Sequence, residues 1–151
     1  MSEADRTPQR SDLFRLFNEI GIIQQLSSTA FERVLPHGLT QAQFTLLNHL
    51  SRIGNGWPPA RIATALQVSR GTLTSTIKRL EHKAFVRLDD NPEDGRSKYV
   101  FLTEAGEAAL ARSIQAAAPL LTRTNDMLTP QEIATVLPVL ERLRQWLDEN
   151  R

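Results

Sequence analysis

Trp57 to Leu102 reads WPPARIATALQVSRGTLTSTIKRLEHKAFVRLDDNPEDGRSKYVFL, and the fold turns on how this stretch divides. Ala60–Leu66 has the spacing of a short helix, Gln67-Val68-Ser69 reads as a turn, and Arg70–Lys83 reads as a second helix. Two β-like runs follow, Phe85–Leu88 and Lys98–Leu102, joined by the turn-rich Asp89–Ser97. Helix, turn, helix and hairpin in that order is the layout of a winged helix-turn-helix, a module that reads DNA.

The second helix carries most of the argument. Leu73, Ile77 and Leu80 recur at i, i+4 and i+7 and make one apolar stripe. The opposite face falls on Gly71, Ser75, Lys78 and His82, flanked by Thr72, Thr74 and Arg79. A solvated helix face mixes both charge signs, whereas this one offers hydroxyls and cations. Its one acid, Glu81, lies toward the other side. Short hydroxyls let a helix sit deep in a groove and bond to base edges, while Lys and Arg neutralise phosphates. Gly71 removes a side chain where a phosphate or base must come close. Ser69 is placed to cap the helix, whose first N–H groups then face phosphate. The residues assigned to DNA on this helix are Ser69, Arg70, Gly71, Thr72, Thr74, Ser75, Lys78 and Arg79.

At 151 residues the chain suits one well-packed domain, or two small subdomains sharing helices. It contains no cysteine, which removes structural disulfides and thiol redox sensing. No apolar run approaches the ~18 residues of a membrane span, and the N-terminus MSEADRTPQRSD lacks a signal-peptide core. The expectation is a cytoplasmic protein that does not enter membranes. Net charge is only +1, but its distribution is uneven. Arg61 to Lys98 holds eight Lys/Arg against five Asp/Glu, and Arg70 to Lys83 holds four against one. Positive charge gathers on the proposed reading helix, as groove binding requires.

Residues before about Ser11 are polar and expected to fray. From there to Leu35 runs a long helix pattern in which Leu13, Phe17, Ile20, Ile23, Phe31 and Val34 form a stripe. Further apolar residues widen it beyond one face, which calls for burial or a partner. Pro36 and Gly38 stop it. Thr40-Gln41-Ala42-Gln43 is a capping box that opens a support helix, with Leu39 and Phe44 as a hydrophobic staple and Gly54-Asn55-Gly56 as its close. Trp57 is assigned to the core or to a short strand pairing with the wing. Thr103 to about Arg123 reads as another long helix, with a kink or early break expected at Pro119. Thr129, Pro130 and Glu132 then start a last helix with a near-heptad apolar repeat to Leu147, its straightness interrupted by Pro138.

The wing connection Asp89–Arg96 is long, polar and acidic, and its acids would repel DNA if all faced the phosphates. Arg96 at the tip answers part of this, because a single Arg can enter a minor groove where the potential is most negative. Asp94 is assigned to orient Arg96 through a bidentate contact.

Asn91-Pro92-Glu93-Asp94-Gly95-Arg96-Ser97, followed by Val100 to Gly106, resembles the wing and exit signature of the MarR family of bacterial transcription regulators. The Asp94-x-Arg96 pair, the Leu-Thr-x-x-Gly run from Leu102 to Gly106, and Val-Ser-x-x-Thr from Val68 to Thr72 match that family's pattern, and the likeness spans about Leu13 to Leu147. The resemblance implies a mainly α protein of about six helices with a β-hairpin wing. Residues 39–102 would form the DNA-binding subdomain, and 1–38 with 103–151 a helical dimerisation subdomain. It further implies a repressor of a pseudo-palindromic operator, relieved by a small aromatic or phenolic effector. Arg15, His37 and Trp57 are the residues assigned to line such an effector's crevice. The surplus apolar stripes of the terminal helices independently favour a homodimer, which would place two reading helices on successive major-groove turns.

No phosphate-binding loop, nucleophile elbow, zinc-protease or paired-cysteine motif occurs, and His37, His49 and His82 lack acidic or cysteine neighbours at ligand spacing. No enzyme activity, metal or cofactor is expected, and His49 is read as a satisfied core or surface residue. The competing function is a winged-helix module for protein contact that does not bind DNA. Lys78 and Arg79 suit both functions, whereas Arg96 on a turn-rich wing favours DNA.

Overall fold

Caps written into the sequence set where several of the helices begin. The computed structural model describes residues 9–54 and 56–150. Thr40 Oγ1 accepts the Gln43 N–H while the Gln43 side chain accepts the Thr40 N–H, which starts α2 (Gln41–Ile53) as the capping box requires. Ser69 Oγ accepts the Thr72 N–H at 3.0 Å and starts α4 (Arg70–His82). Thr129 and Glu132 close a second capping box at α6 (Pro130–Glu149). The other helices are α1 (Arg10–Val34), α3 (Pro59–Leu66) and α5 (Glu104–Thr124). The wing is an antiparallel pair, β1 (Val86–Asp90) and β2 (Lys98–Leu102), with Val86 opposite Leu102 and Leu88 opposite Val100.

The chain divides into two compact units, the first running to Ala116 and the second beginning at Ala117. In the first, α2, α3, α4 and the wing share a core whose fully buried members include Leu46, Leu47, Leu50, Ile62, Leu80, Val86 and Val100. Leu73, Ile77 and Leu80 lie inward, so the stripe read from sequence is the face that α4 buries. Burying each such side chain stabilises the fold by roughly 1.5–3 kcal/mol, an upper figure for a chain that is partly collapsed when unfolded. Trp57 bridges to Val100 beside the hairpin, which bears out the short-strand assignment. In the second unit, α6 is a continuous helix with no buried residue in the single chain.

The turn from α4 into β1 sets how the wing is carried. Phe85 N–H reaches back to Leu80 O at 2.9 Å and Ala84 N–H to Glu81 O at 2.9 Å, which satisfies the last helical carbonyls. Ala84 adopts φ +58 to make this turn, a left-handed conformation that favours glycine. On the far side of the hairpin, Thr103 Oγ1 donates to Ala84 O at 2.7 Å and Thr103 N–H donates to Phe85 O at 3.1 Å. A Cβ on Gly106 would stand 2.1 Å from Phe85 O. The Leu102-Thr103-x-x-Gly106 run therefore docks the start of α5 onto the end of α4.

Two expectations need correction. Both Pro119 and Pro138 lie inside continuous helices, so of the kink or early break expected at Pro119 the early break does not occur. Each is exposed, as are Gln115 and Ala134, whose carbonyls lose the amide partner four residues on. Water can serve those carbonyls, so the helices continue. The stop expected after α1 at Pro36 and Gly38 is present. Pro36–Gly38 forms a 3-10 turn in which His37 takes φ +60 and Gly38 φ +61. His49 is not satisfied, because its buried Nε2 has no hydrogen-bond partner among the described residues. Its ring meets Trp57 edge-on, with centroids 6.0 Å apart. The close of α2 is seen at Gly54, where φ is +89, whereas Asn55 and the fraying expected of residues 1–8 lie outside the described residues.

Candidate nucleic-acid interface

The exposed side of α4 is built by what its other side buries. With Leu73, Thr76, Ile77 and Leu80 inward, Gly71, Thr72, Thr74, Ser75, Lys78, Arg79 and His82 are left outward, as are Ser69 and Arg70 at its start. The hydroxyls differ in how free they are. Thr72 Oγ1 lies 2.8 Å from Ser69 Oγ at the cap, and Thr74 Oγ1 donates to Arg70 O at 2.8 Å. Thr76 is buried and donates to Thr72 O at 3.0 Å, so it belongs to the packing. Ser75 Oγ has no partner among the described residues and can both donate and accept. Thr74, its proton engaged, retains acceptor capacity only.

The cations of α4 are unneutralised. Among the described residues no carboxylate pairs with Lys78, Arg79 or His82. On the wing the opposite holds. Arg87 Nε pairs with Asp89 at 3.0 Å, its guanidinium lying 4.6 Å from the centre of the Phe101 ring, and Lys98 pairs with Asp90.

At the wing tip Asp94 Oδ1 accepts the backbone N–H of Arg96 at 3.0 Å. The expected bidentate contact with the guanidinium is replaced by a side-chain turn, a local use of Asp that spacing alone does not separate from ion pairing. Asn91 adds four bonds at the tip: its N–H donates to Ser97 O and its Nδ2 to Ser97 Oγ, while its Oδ1 accepts from Glu93 N–H and its carbonyl from Asp94 N–H. Asp89 and Asp90 are thus neutralised by cations of the wing and Asp94 is turned onto its own backbone, which answers part of the repulsion that the acids suggested. Arg96 stands exposed at the tip.

The three residues assigned to an effector crevice have different surroundings. Arg15 is exposed on α1, His37 lies edge-on to Phe85 with centroids 5.5 Å apart, and Trp57 sits between His49 and Arg61, whose guanidinium is 3.6 Å from the ring centre. One residue missed in the sequence is Lys83, whose Nζ donates to His37 O at 2.6 Å. That bond spans 46 positions, and no local pattern announces it. Among the described residues no group of three or more His, Asp or Glu could hold a metal ion, and no helix is long and apolar enough to cross a membrane.

The sequence profile of the MarR family matches residues 37–97, from the turn before α2 through the wing tip. The multiple antibiotic resistance protein MarR of Escherichia coli (strain K12) is 30% identical over 139 residues, covering 88% of this chain and 96% of that protein. The transcriptional activatory protein BadR of Rhodopseudomonas palustris is 34% identical over 95 residues, covering 62% of this chain and about half of BadR, 53%. Among solved structures, a mutant MarR from E. coli complexed with operator DNA superposes with a TM-score of 0.80 at 27% identity, covering 91% of this chain and 99% of that one.

Proposed function

The chain belongs to the MarR family, and on that premise we propose how it meets its DNA. It is a DNA-binding transcription regulator with a winged helix-turn-helix fold. The observation that carries the interface is the outward side of α4, where unpaired cations and an unpartnered Ser75 hydroxyl share one face. Ser75 and Thr74 read base edges in the major groove, with Thr74 limited to donor edges such as adenine N6 or cytosine N4. Ser69, Arg70, Gly71 and Thr72 bring the helix start close to phosphate, and Lys78 and Arg79 neutralise the strands beside it. Arg96, its backbone held by Asp94, enters the minor groove. The protein-contact alternative is not favoured.

The reading unit spans residues 39–102, and residues 1–38 with 103–151 form the dimerisation subdomain. In the single chain α1 and α6 bury no residue, and Phe14 is 72% and Leu26 66% exposed. Apolar surface of that extent supports a homodimer on a pseudo-palindromic operator. Repression relieved by a small aromatic acid or phenol, with Arg15, His37 and Trp57 as contacts, completes the reading.

The test is a mobility shift with duplex from the chain's own upstream region. Lys78, Arg79 and Arg96 from two subunits give six cations, so binding should weaken roughly 10³-fold between about 50 and about 200 mM salt. Arg96→Ala should weaken operator and scrambled duplex alike and lower the salt slope by about one unit per wing. Absence of any shift at low salt would sink the DNA-binding reading.

A further inference from the structure

The end of α4 and the approach to α2 border an open cavity of about 400 Å³. Gly38 and Thr40 stand on one side, and Lys78, Arg79, His82 and Lys83 on the other. Three cations and an imidazole line it without a single acid. Glu81, the one carboxylate on α4, is not among the lining residues. Lys83 is pinned by its bond to His37 O, a neutral acceptor that fixes the ammonium in place without cancelling its charge. Like charges brought together repel, and a fixed cluster with no internal counter-charge is relieved by an external anion.

The first amides of α2 add little to this attraction. Gln41 N–H is taken by Glu32 Oε1 at 2.7 Å and Gln43 N–H by Thr40 Oγ1 at 3.2 Å. The pull comes from the side chains of α4. Lys78 and His82 continue the outward line of Gly71 and Ser75, so the cavity lies along the extension of the reading face. At 1.5 Å per residue, His82 stands about 16 Å along the axis from Gly71. The major groove is only about 12 Å wide, so a helix with its first turns at the base edges meets the groove's wall near its last turn. That wall is a sugar–phosphate strand.

We propose that this cavity seats one backbone phosphate of the bound duplex in each half-site, with Lys83 and His82 as its contacts and Lys78 and Arg79 flanking it. The seat rests on the DNA-binding reading and adds to it a clamp outside the base-reading residues. Its pinned lysine would hold the register of α4 in the groove, as phosphate contacts generally do.

The experiment scans an operator duplex with one neutral methylphosphonate linkage at a time, against wild type and the His82→Gln/Lys83→Gln double variant. In wild type one linkage per half-site should weaken binding about tenfold, the loss expected for a charged hydrogen bond. In the double variant that linkage should cost nothing further, and the salt slope should be shallower by about one unit per half-site. If Lys83→Gln lowers the melting temperature below the assay range, His82→Gln alone carries the test, because that side chain is exposed and has no hydrogen-bond partner among the described residues. An equal loss in wild type and variant at every linkage would overturn the seat while leaving DNA binding intact. Failure of wild type to bind any duplex would overturn the DNA reading itself. Inorganic phosphate, titrated against sodium chloride at constant ionic strength, separates the two sources of phosphate. Saturable competition in wild type only, with a flat methylphosphonate scan, would assign the cavity to a free anion and overturn the duplex seat.

Discussion

The reading helix and the wing dispose of their charged residues in opposite ways. On α4 the cations face outward with no carboxylate among the described residues to answer them. On the wing Arg87 and Lys98 are answered by Asp89 and Asp90, and Asp94 is folded back on the backbone of its own turn. One region keeps its charge available to a partner, while the other uses most of its charge to hold its own shape. Local net charge, which is what a sequence reports, hides this difference. The count over Arg61–Lys98 treats Arg87 and Lys78 as equals, but of the two only Lys78 stands without a carboxylate partner among the described residues.

The largest effect expected concerns the wing's root, where shape is held by packing. Gly106→Ala would place a methyl 2.1 Å from Phe85 O, so backbone must shift. A loss of about 3 kcal/mol, read by chemical denaturation, is the expected cost of that overpacking. An unchanged midpoint would show that the root gives way freely and is no anchor.

Next comes the contrast itself. Lys78→Ala and Arg79→Ala should each weaken binding to any duplex and lower the salt slope by about one unit per contact. Arg87→Ala and Lys98→Ala should move the slope far less, since each removes a cation already neutralised within an exposed pair. Equal slopes for all four variants would erase the distinction between the two regions.

A smaller and more local effect separates the hydroxyls. Ser75→Ala should lose discrimination at one operator position, about 1–3 kcal/mol against the wrong base, and leave scrambled duplex untouched. Thr74→Val at the same site should cost less, since its proton is spent on Arg70 O. A reversed order would put Thr74 at the base edge.

The smallest is a pH effect near the wing's far edge. Burial, with the Arg52 charge adding to it, holds His49 below its ordinary value. The unfolded chain takes up that proton near pH 6.5, the folded chain only at lower pH. The stabilising contribution of neutral His49 is therefore full above about pH 6.5 and is lost as pH falls toward the folded value. His49→Phe keeps a ring against Trp57 and should flatten this part of the stability profile measured by urea titration. A slope that persists in the variant would assign it to other groups.

What the sequence made legible was whatever is decided within a few residues. Thr40, Ser69 and Thr129 declare helix starts because capping involves neighbours three positions on. Leu73, Ile77 and Leu80 declare the buried side of α4 by period, and the outward residues follow by subtraction. The wing strands were legible by alternation, though β1 begins one residue later than expected and runs on through Asp90. The rest depended on distant or competing partners. Lys83 finds His37 across the fold, and His37 itself sits in a left-handed turn that no glycine signals. Asp94 had two chemically reasonable partners two residues away, a guanidinium and an amide, and the amide is the one it holds. Pro119 looked like a break because propensity says nothing about whether water can reach Gln115's carbonyl.

Phe85 carries a consequence for how this molecule can move. Its N–H closes the end of α4, its carbonyl receives Thr103 at the root of α5, and its ring meets His37 at the entry to α2. Three joints share one residue, which ties the reading helix to the root of the wing. A shift of α5 would carry α4 and the hairpin together, like a key turning with its handle. A ligand of the kind proposed above would then leave the angle between α4 and the wing unchanged. In the proposed homodimer it would instead alter the distance from one key to another, and a DNA site would sense that as the spacing between its halves.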